Sequence, residues 1–256
     1  NFPTELLEAT EGATWFTVLL GHSGSAVFRL EQPNTITRYL KVSLTAHAAE
    51  LMAEKERMLW LNGRLPVPAL LDFHQTTHHA FLLMIAIDGA PASDFSNHPD
   101  ERRVIKRLAE GLRLLHAIPV EQCPFDHRLD NMLQMAKSNM EAGLVDESDF
   151  DEERLGMKTA DLYAQLLQQR PDQEDLVFTH GDYCLPNVIV DLETVRGFID
   201  LGRAGVGDRY RDLALAAWSL RHNFGPDSVQ PFFNAYGLPQ PDQKKLSYYR
   251  LLDEFF

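Results

Sequence analysis

The octapeptide His180-Gly181-Asp182-Tyr183-Cys184-Leu185-Pro186-Asn187 joins two short β-rich runs, Leu176–Thr179 and Asn187–Val190. A tight loop between strands brings its polar side chains to one place. Asp182 can accept a hydrogen bond from an attacking hydroxyl, and Asn187 can turn a neutral oxygen toward a hard cation. Thirteen residues after Asn187 comes Asp200, within Phe198-Ile199-Asp200-Leu201-Gly202-Arg203. The intervening stretch reads as a hairpin over Asn187–Val190 and Val195–Ile199, with Asp191-Leu192-Glu193-Thr194 as its turn, and it returns Asp200 to the side of Asn187. A lone His-x-Asp is common, and surface Asp and Asn usually serve turns. Two such motifs at this separation, in strand–loop–strand context, are much stronger evidence of a functional site than either alone.

Working outward from this pair, the chain changes character once. Before residue 87 it reads mostly as strands, Thr14–Leu20, Val27–Leu30, Ile36–Val42, Ala69–His74 and Ala80–Ala86, with one amphipathic helix over Ala46–Leu61. The segment Asp88-Gly89-Ala90-Pro91 reads as a linker. Beyond it helices dominate. Pro99 opens the strongest, with Val104, Ile105, Leu108, Leu112 and Leu115 on one face. Others are expected at Arg128–Glu141, Thr159–Gln169, Asp208–Arg221, Ser228–Tyr236 and Asp242–Asp253. The expected fold is α+β, a small antiparallel β-rich N-terminal lobe (1–86) followed by a larger, mostly helical C-terminal lobe (87–256).

Composition narrows the classes of function. The chain has 256 residues, 24 basic and 37 acidic, for a formal charge of −13, and 45% of its residues are hydrophobic. Disorder is excluded. The basic footprint of a nucleic-acid binder is absent, and a cationic partner is favoured. No apolar run reaches the roughly 18–20 residues of a membrane span, so no membrane association is expected. Two cysteines, Cys123 and Cys184, make no disulfide framework, and a reducing cytoplasm is the expected compartment. Nothing in the sequence demands an oligomer, and a monomer is expected. Asp146 to Glu153 packs six carboxylates into eight residues, and Asp253 and Glu254 make a second acidic knot. Such runs are usually solvated loops. Held close together they repel, and a bound polycation offsets that cost.

The Asp-x4-Asn spacing matches the catalytic loop of kinases. The whole chain resembles the aminoglycoside phosphotransferases, specifically the 3′-phosphotransferase branch. The resemblance is carried by Met58-Leu59-Trp60-Leu61, Leu65-Pro66-Val67-Pro68, Cys123-Pro124-Phe125, Glu141 to Asp146, the two motifs above, Gly205-Val206-Gly207-Asp208-Arg209-Tyr210 and the ending Leu251-Leu252-Asp253-Glu254-Phe255-Phe256. It implies a two-lobed protein-kinase-like fold and ATP-dependent phosphorylation of the 3′-hydroxyl of aminoglycoside antibiotics, conferring resistance. ATP is the implied donor, with GTP as an alternative, and Mg²⁺ the implied metal. Asp182 becomes the catalytic residue, and Asn187 and Asp200 the metal ligands. Lys41 would touch the α- and β-phosphates and pair with a helix glutamate. Helical periodicity does not choose among Glu50, Glu54 and Glu56, and the family's spacing to Met58-Leu59-Trp60-Leu61 selects Glu54. Ser23 would cover the phosphates. Tyr39, two residues before Lys41 and on the same strand face, would stack on adenine, although an ordinary core or edge aromatic fits it equally. Met84 and Ala86 fall at the hinge whose backbone reads the base edge. Asp149, Asp151, Glu152, Asp253, Glu254 and Phe256 are the implied aminoglycoside contacts, with Arg203 a further candidate. Some members carry an Arg-Asp pair that contacts the drug in the helix after Asp208, where this chain reads Ala217-Trp218-Ser219. Two other readings compete: a kinase of another small hydroxylated amine, choline-like, and a non-catalytic kinase-like module that binds polycations.

Overall fold

A computed structural model describes residues 2–18 and 25–256. Its internal contacts divide the chain into two compact units. The first is Asn1–Ala90 with Asn187–Asp191 and Arg196–Arg203, and the second is Pro91–Pro186 with Leu192–Val195 and Ala204–Phe256.

The first unit is built on a five-stranded antiparallel sheet. After a short helix α1 (Thr4–Thr10) come β1 (Thr14–Val18), β2 (Ala26–Glu31), β3 (Arg38–Leu44), helix α2 (Ala48–Leu61), β4 (Leu70–Gln75) and β5 (His79–Ile85), and the sheet order is β1-β2-β3-β5-β4. The expected run Thr14–Leu20 is a strand as far as Val18, and its last two residues, like Ser23, lie outside the described residues. Alternation along the strands gives the sheet two different faces. Leu30, Leu40, Phe81 and Leu83 turn to one face and bury Leu6 of α1 with them. Lys41, paired across the ladder with Leu82, and Tyr39, paired with Met84, belong to the other face. The turn between β4 and β5 is closed by Thr76, whose N–H donates to the His79 carbonyl at 2.8 Å.

A two-residue strand β6 (Ala90–Pro91) occupies the stretch expected to be linker, and the chain then enters the helices α3 (Glu101–His116), α4 (Leu129–Glu141) and α5 (Thr159–Gln168). The apolar stripe of α3 is buried, with Val104, Leu112 and Leu115 fully covered. Each such leucine contributes about 2 kcal/mol by burial, so packing rather than propensity holds this helix. Strand β7 (Leu176–Thr179) leads into the quoted octapeptide, then follow β8 (Val188–Val190) and β9 (Val195–Phe198), the expected hairpin. Strand β10 (Gly205–Asp208), α6 (Tyr210–Phe224), α7 (Val229–Tyr236) and α8 (Gln243–Asp253) complete the order. The N-terminus of α8 is capped by Asp242, whose carboxylate accepts from Lys244 N at 2.9 Å and Lys245 N at 3.2 Å.

Gly197 shows why a glycine stands in β9. A Cβ there would come within 2.4 Å of Ile87 Cδ1 and 2.7 Å of the Pro66 carbonyl oxygen. The close approach lets Phe198 N donate to that same carbonyl at 3.0 Å, which ties the β8–β9 hairpin into the first unit just before Asp200. Among the described residues, no helix is long and apolar enough to cross a membrane.

Candidate active site

The first unit holds one half of the candidate residues. Lys41, at mid-length of β3, places its ammonium 2.8 Å from both carboxylate oxygens of Glu54 on α2, and it also bonds Oδ1 of Asp200. The structure thereby selects Glu54, which is 5% exposed, over Glu50 and Glu56, which face solvent. Burial works against the charge on Lys41, and the carboxylates of Glu54 and Asp200 outweigh it, so its pKa is raised and the ammonium persists at any physiological pH. Burial also pushes the Glu54 carboxyl upward, with Lys41 opposing that shift.

Asp200 lies between β9 and a single 3-10 turn, Leu201–Arg203. Its φ of 58° is left-handed, one of three such values on residues other than glycine among the described residues. Aspartate tolerates that region better than most residues. The preceding Ile199 donates its N–H to the Asn187 carbonyl at 3.0 Å, so the hairpin brings Asp200 back beside Asn187 within the first unit. Asp200 and Asn187 supply hard oxygen donors. No group of three or more His, Cys, Asp or Glu side chains converges as a metal cage among the described residues. One carboxylate and one amide fit Mg²⁺, which usually completes its shell with phosphate oxygens and water.

The second unit holds Asp182. Its loop is fixed by two side chains of α6: Asp212, which the sequence reading did not single out, and Ser219, which it named only where some members carry an Arg-Asp pair. Asp212, fully buried, accepts from His180 N at 2.7 Å and Gly181 N at 2.8 Å, and its Oδ2 lies 3.1 Å from His116 Nε2. Burial alone would raise the pKa of Asp212. The hydrogen bond and charge of His116, the charge of His180 and the Gly181 amide reverse this and lower it. Ser219 Oγ accepts from Leu185 N at 3.0 Å, further along the loop. Gly181 has a φ of 83°, a turn that only glycine makes without strain. One sequence signal was available for Asp212: a carboxylate sharing a helical stripe with Ala216 and Ser219 inside an apolar run must be buried and must find donors.

A third cluster, also within the second unit, gathers part of the two acidic knots. Asp151 accepts from Arg250 Nη2 at 2.8 and 2.7 Å and from Arg154 Nη1 at 3.1 Å. Arg154 also donates to Glu254 at 3.0 Å, and Arg250 Nη1 to Asp253 at 3.0 Å. Asp149 and Glu152 are exposed and do not join this network. Arg203 belongs with the first unit. Phe256 N donates to the Asp253 carbonyl at 3.1 Å. Of the residues expected to meet the nucleotide, Tyr39 is half-buried and Met84 buried, while the Ala86 N–H is given to the Thr37 carbonyl at 2.9 Å.

Glu254 carries a pH signature. Burial first, then the neighbouring Asp151 carboxylate, push its pKa from 4.5 to about 7, against the pull of the Asp151 amide, Arg154 and Arg250. The folded chain therefore holds a proton that the unfolded chain has released between those values. Its contribution to stability falls as pH rises from about 4.5 through about 7. Urea unfolding of the wild type and Glu254→Gln across pH 5–8 checks this. The variant is expected to lose that part of the slope, and parallel profiles would count against the assignment.

With this geometry in hand, comparison with known proteins is informative. Residues 16–249 match the phosphotransferase enzyme family. An aminoglycoside 3′-phosphotransferase of Niallia circulans is 42% identical over 100% of this chain and 98% of its own. A crystal structure of an aminoglycoside-3′-phosphotransferase of type VIII superposes with a TM-score of 0.90 at 37% identity, covering 98% of this chain and 97% of that one. The APH(3″)-Id structure from Streptomyces rimosus, in complex with ADP and streptomycin, gives a TM-score of 0.85 at 33% identity over 98% and 95%. The chain belongs to the phosphotransferase enzyme family, in its aminoglycoside 3′-phosphotransferase branch. The α+β kinase-like fold expected from the sequence is the fold of these neighbours.

Proposed function

We propose that the chain transfers the γ-phosphate of ATP to the 3′-hydroxyl of an aminoglycoside, giving ADP and a 3′-phosphorylated drug, so that a cell carrying it resists the antibiotic. The observation that carries this reading is Lys41 held between Glu54 and Asp200, with Asn187 joined to the same hairpin. An ammonium kept charged by two carboxylates is suited to the α- and β-phosphates. Asp200 and Asn187 would hold Mg²⁺, which when bound neutralises phosphate charge. GTP is an alternative donor, and the cytoplasm is the compartment where either is found.

Asp182 accepts a hydrogen bond from the drug hydroxyl and aims its oxygen at the γ-phosphorus. The new O–P bond forms as the bond to the β–γ bridging oxygen breaks, and the hydroxyl proton passes late to the Asp182 carboxylate. A loose transition state asks little activation of the nucleophile, so orientation carries most of the effect. The substrate class is supported by the carboxylates of Asp151, Asp253 and Glu254, which suit a drug bearing several ammonium groups, and by the chain's relatives.

The test is ADP release by the full chain with ATP and Mg²⁺, comparing kanamycin, tobramycin (which lacks a 3′-hydroxyl) and streptomycin. Turnover with kanamycin and not tobramycin is expected. Turnover with both would move the site of transfer. Turnover with streptomycin alone would shift the reading to a 3″-kinase.

A further inference from the structure

Residues 142–158, between α4 and α5, carry the acidic run and form neither helix nor strand. A segment of this kind has no ladder of its own to hold its side chains in place. Its fastenings are the buried Phe150, the bonds of Glu147 to Lys158 and Thr159, and the ion pairs of Asp151. The last of these cross about a hundred residues of sequence, to Arg250 on α8 and, through Arg154, to Glu254 just beyond it.

Arg250 does more than pair with one acid. Its two terminal nitrogens are divided, Nη2 to Asp151 and Nη1 to Asp253. Its guanidinium carbon lies 4.7 Å from the centre of the Trp218 ring, and the Arg250 side chain is only 15% exposed. Trp218 in turn stacks on His222 one turn along α6, with ring planes 7° apart. Its neighbour Ser219 is the residue that holds Leu185 of the Asp182 loop. A continuous series of contacts thus runs from the acidic segment, through Arg250 and Trp218, to the helix that fixes the catalytic loop, all within the second unit.

We propose that Arg250, braced against Trp218, is a positioning residue that sets the place of Asp151 and Asp253 relative to the Asp182 loop, and so decides whether a bound polycation presents its hydroxyl in register. This rests on the function proposed above. Two effects oppose each other when Arg250 is removed. A positive charge leaves the acidic site, which favours a polycation, and the carboxylates lose the group that orients them. The second effect wins. A misplacement of about 1 Å costs on the order of 100-fold in rate, whereas an ammonium of the drug replaces only charge and not the planar two-nitrogen bridge.

The experiment measures kanamycin phosphorylation by the full chain as wild type, Arg250→Met, Arg250→Lys and Trp218→Ala, with ATP·Mg affinity taken by calorimetry on the same preparations. Arg250→Met is expected to raise the KM for kanamycin about tenfold and lower kcat/KM about 100-fold. ATP·Mg affinity should stay within about twofold, as for an independent site. Arg250→Lys keeps the charge without the fork and should resemble Arg250→Met. Trp218→Ala removes an exposed ring, so the fold survives, and it should shift the same constants in the same direction. Wild-type constants in Arg250→Met or Arg250→Lys would overturn the inference, as would a lowered kanamycin KM, the mark of a competing internal cation. A parallel loss of kanamycin and ATP·Mg affinity would also overturn it, showing a structural role alone. A wild type that turns over no kanamycin would instead defeat the proposed function, which the same assay separates from failure of Arg250.

Discussion

Asp182→Ala is expected to lower kcat for kanamycin by about 10³-fold, in the middle of the range for a positioned base, while ATP·Mg and drug affinities change little. The fall corresponds to about 4 kcal/mol of transition-state stabilisation. The reason lies in what holds the loop. Its backbone is fixed at His180 and Gly181 by Asp212 and at Leu185 by Ser219, so truncating the Asp182 side chain leaves these anchors standing. Steady-state kinetics with calorimetry of both ligands checks the expectation. Loss of kanamycin binding comparable to the loss of kcat would show that Asp182 serves binding or loop structure instead. Asp182→Asn sharpens the result. It keeps size and one acceptor oxygen but cannot take the proton, so activity close to wild type would confine the role to orientation.

Local pattern made much of this fold legible. Alternation along Arg38-Tyr39-Leu40-Lys41-Val42 places Lys41 opposite the fully buried Leu40, and the stripe of α3 announces its buried face. Elements whose existence depends on a distant partner were not legible. The stretch Gly205-Val206-Gly207-Asp208 lacks a β-branched run and carries no strand in the sequence analysis, where a helix is expected from Asp208, yet it is β10. It pairs antiparallel with β7, and its glycines let Phe125 and His127 pass where a Cβ would sit only 2.9–3.0 Å away. Helix α1 is only seven residues long and is marginal by itself, and burial of Leu6 in the sheet core sustains it.

The candidate site divides along the same line. Asp182, Asn187 and Asp200 sit in two compact motifs, so the role proposed for each follows from residue types and separation. The choice among Glu50, Glu54 and Glu56 was open to periodicity, because neighbouring stripes of α2 each carry apolar residues. Only the docking of α2 on its sheet buries Glu54 against Lys41. The arginines that organise the acidic knots were invisible for a stronger reason. Arg250 and Asp151 are 99 positions apart, and no local rule pairs charges over that distance. The sequence showed carboxylates awaiting a cation, and the structure shows three of them already sharing two internal ones.

Asp200 offers the second large effect, because two substitutions separate its backbone role from its side-chain role. Asp200→Asn keeps a residue that tolerates the φ of 58° but loses the charge facing Lys41 and the proposed metal. Lys41 retains both 2.8 Å bonds to Glu54, so the β3–α2 pairing survives. Thermal unfolding of Asp200→Asn is therefore expected to match the wild type closely, while kcat/KM falls about 10³-fold, the scale of a lost electrostatic clamp on transferring phosphate. Its Mg²⁺ concentration for half-maximal rate should rise. Asp200→Ala suffers the same kinetic loss and adds backbone strain of about 1–3 kcal/mol, because alanine has no local hydrogen bond to support a left-handed residue. Its unfolding midpoint should drop below that of Asp200→Asn. Equal midpoints for the two variants would deny the strain. An unchanged Mg²⁺ dependence in Asp200→Asn would remove Asp200 from the metal site, and Lys41 would then have to be explained as a structural cation locked between two acids.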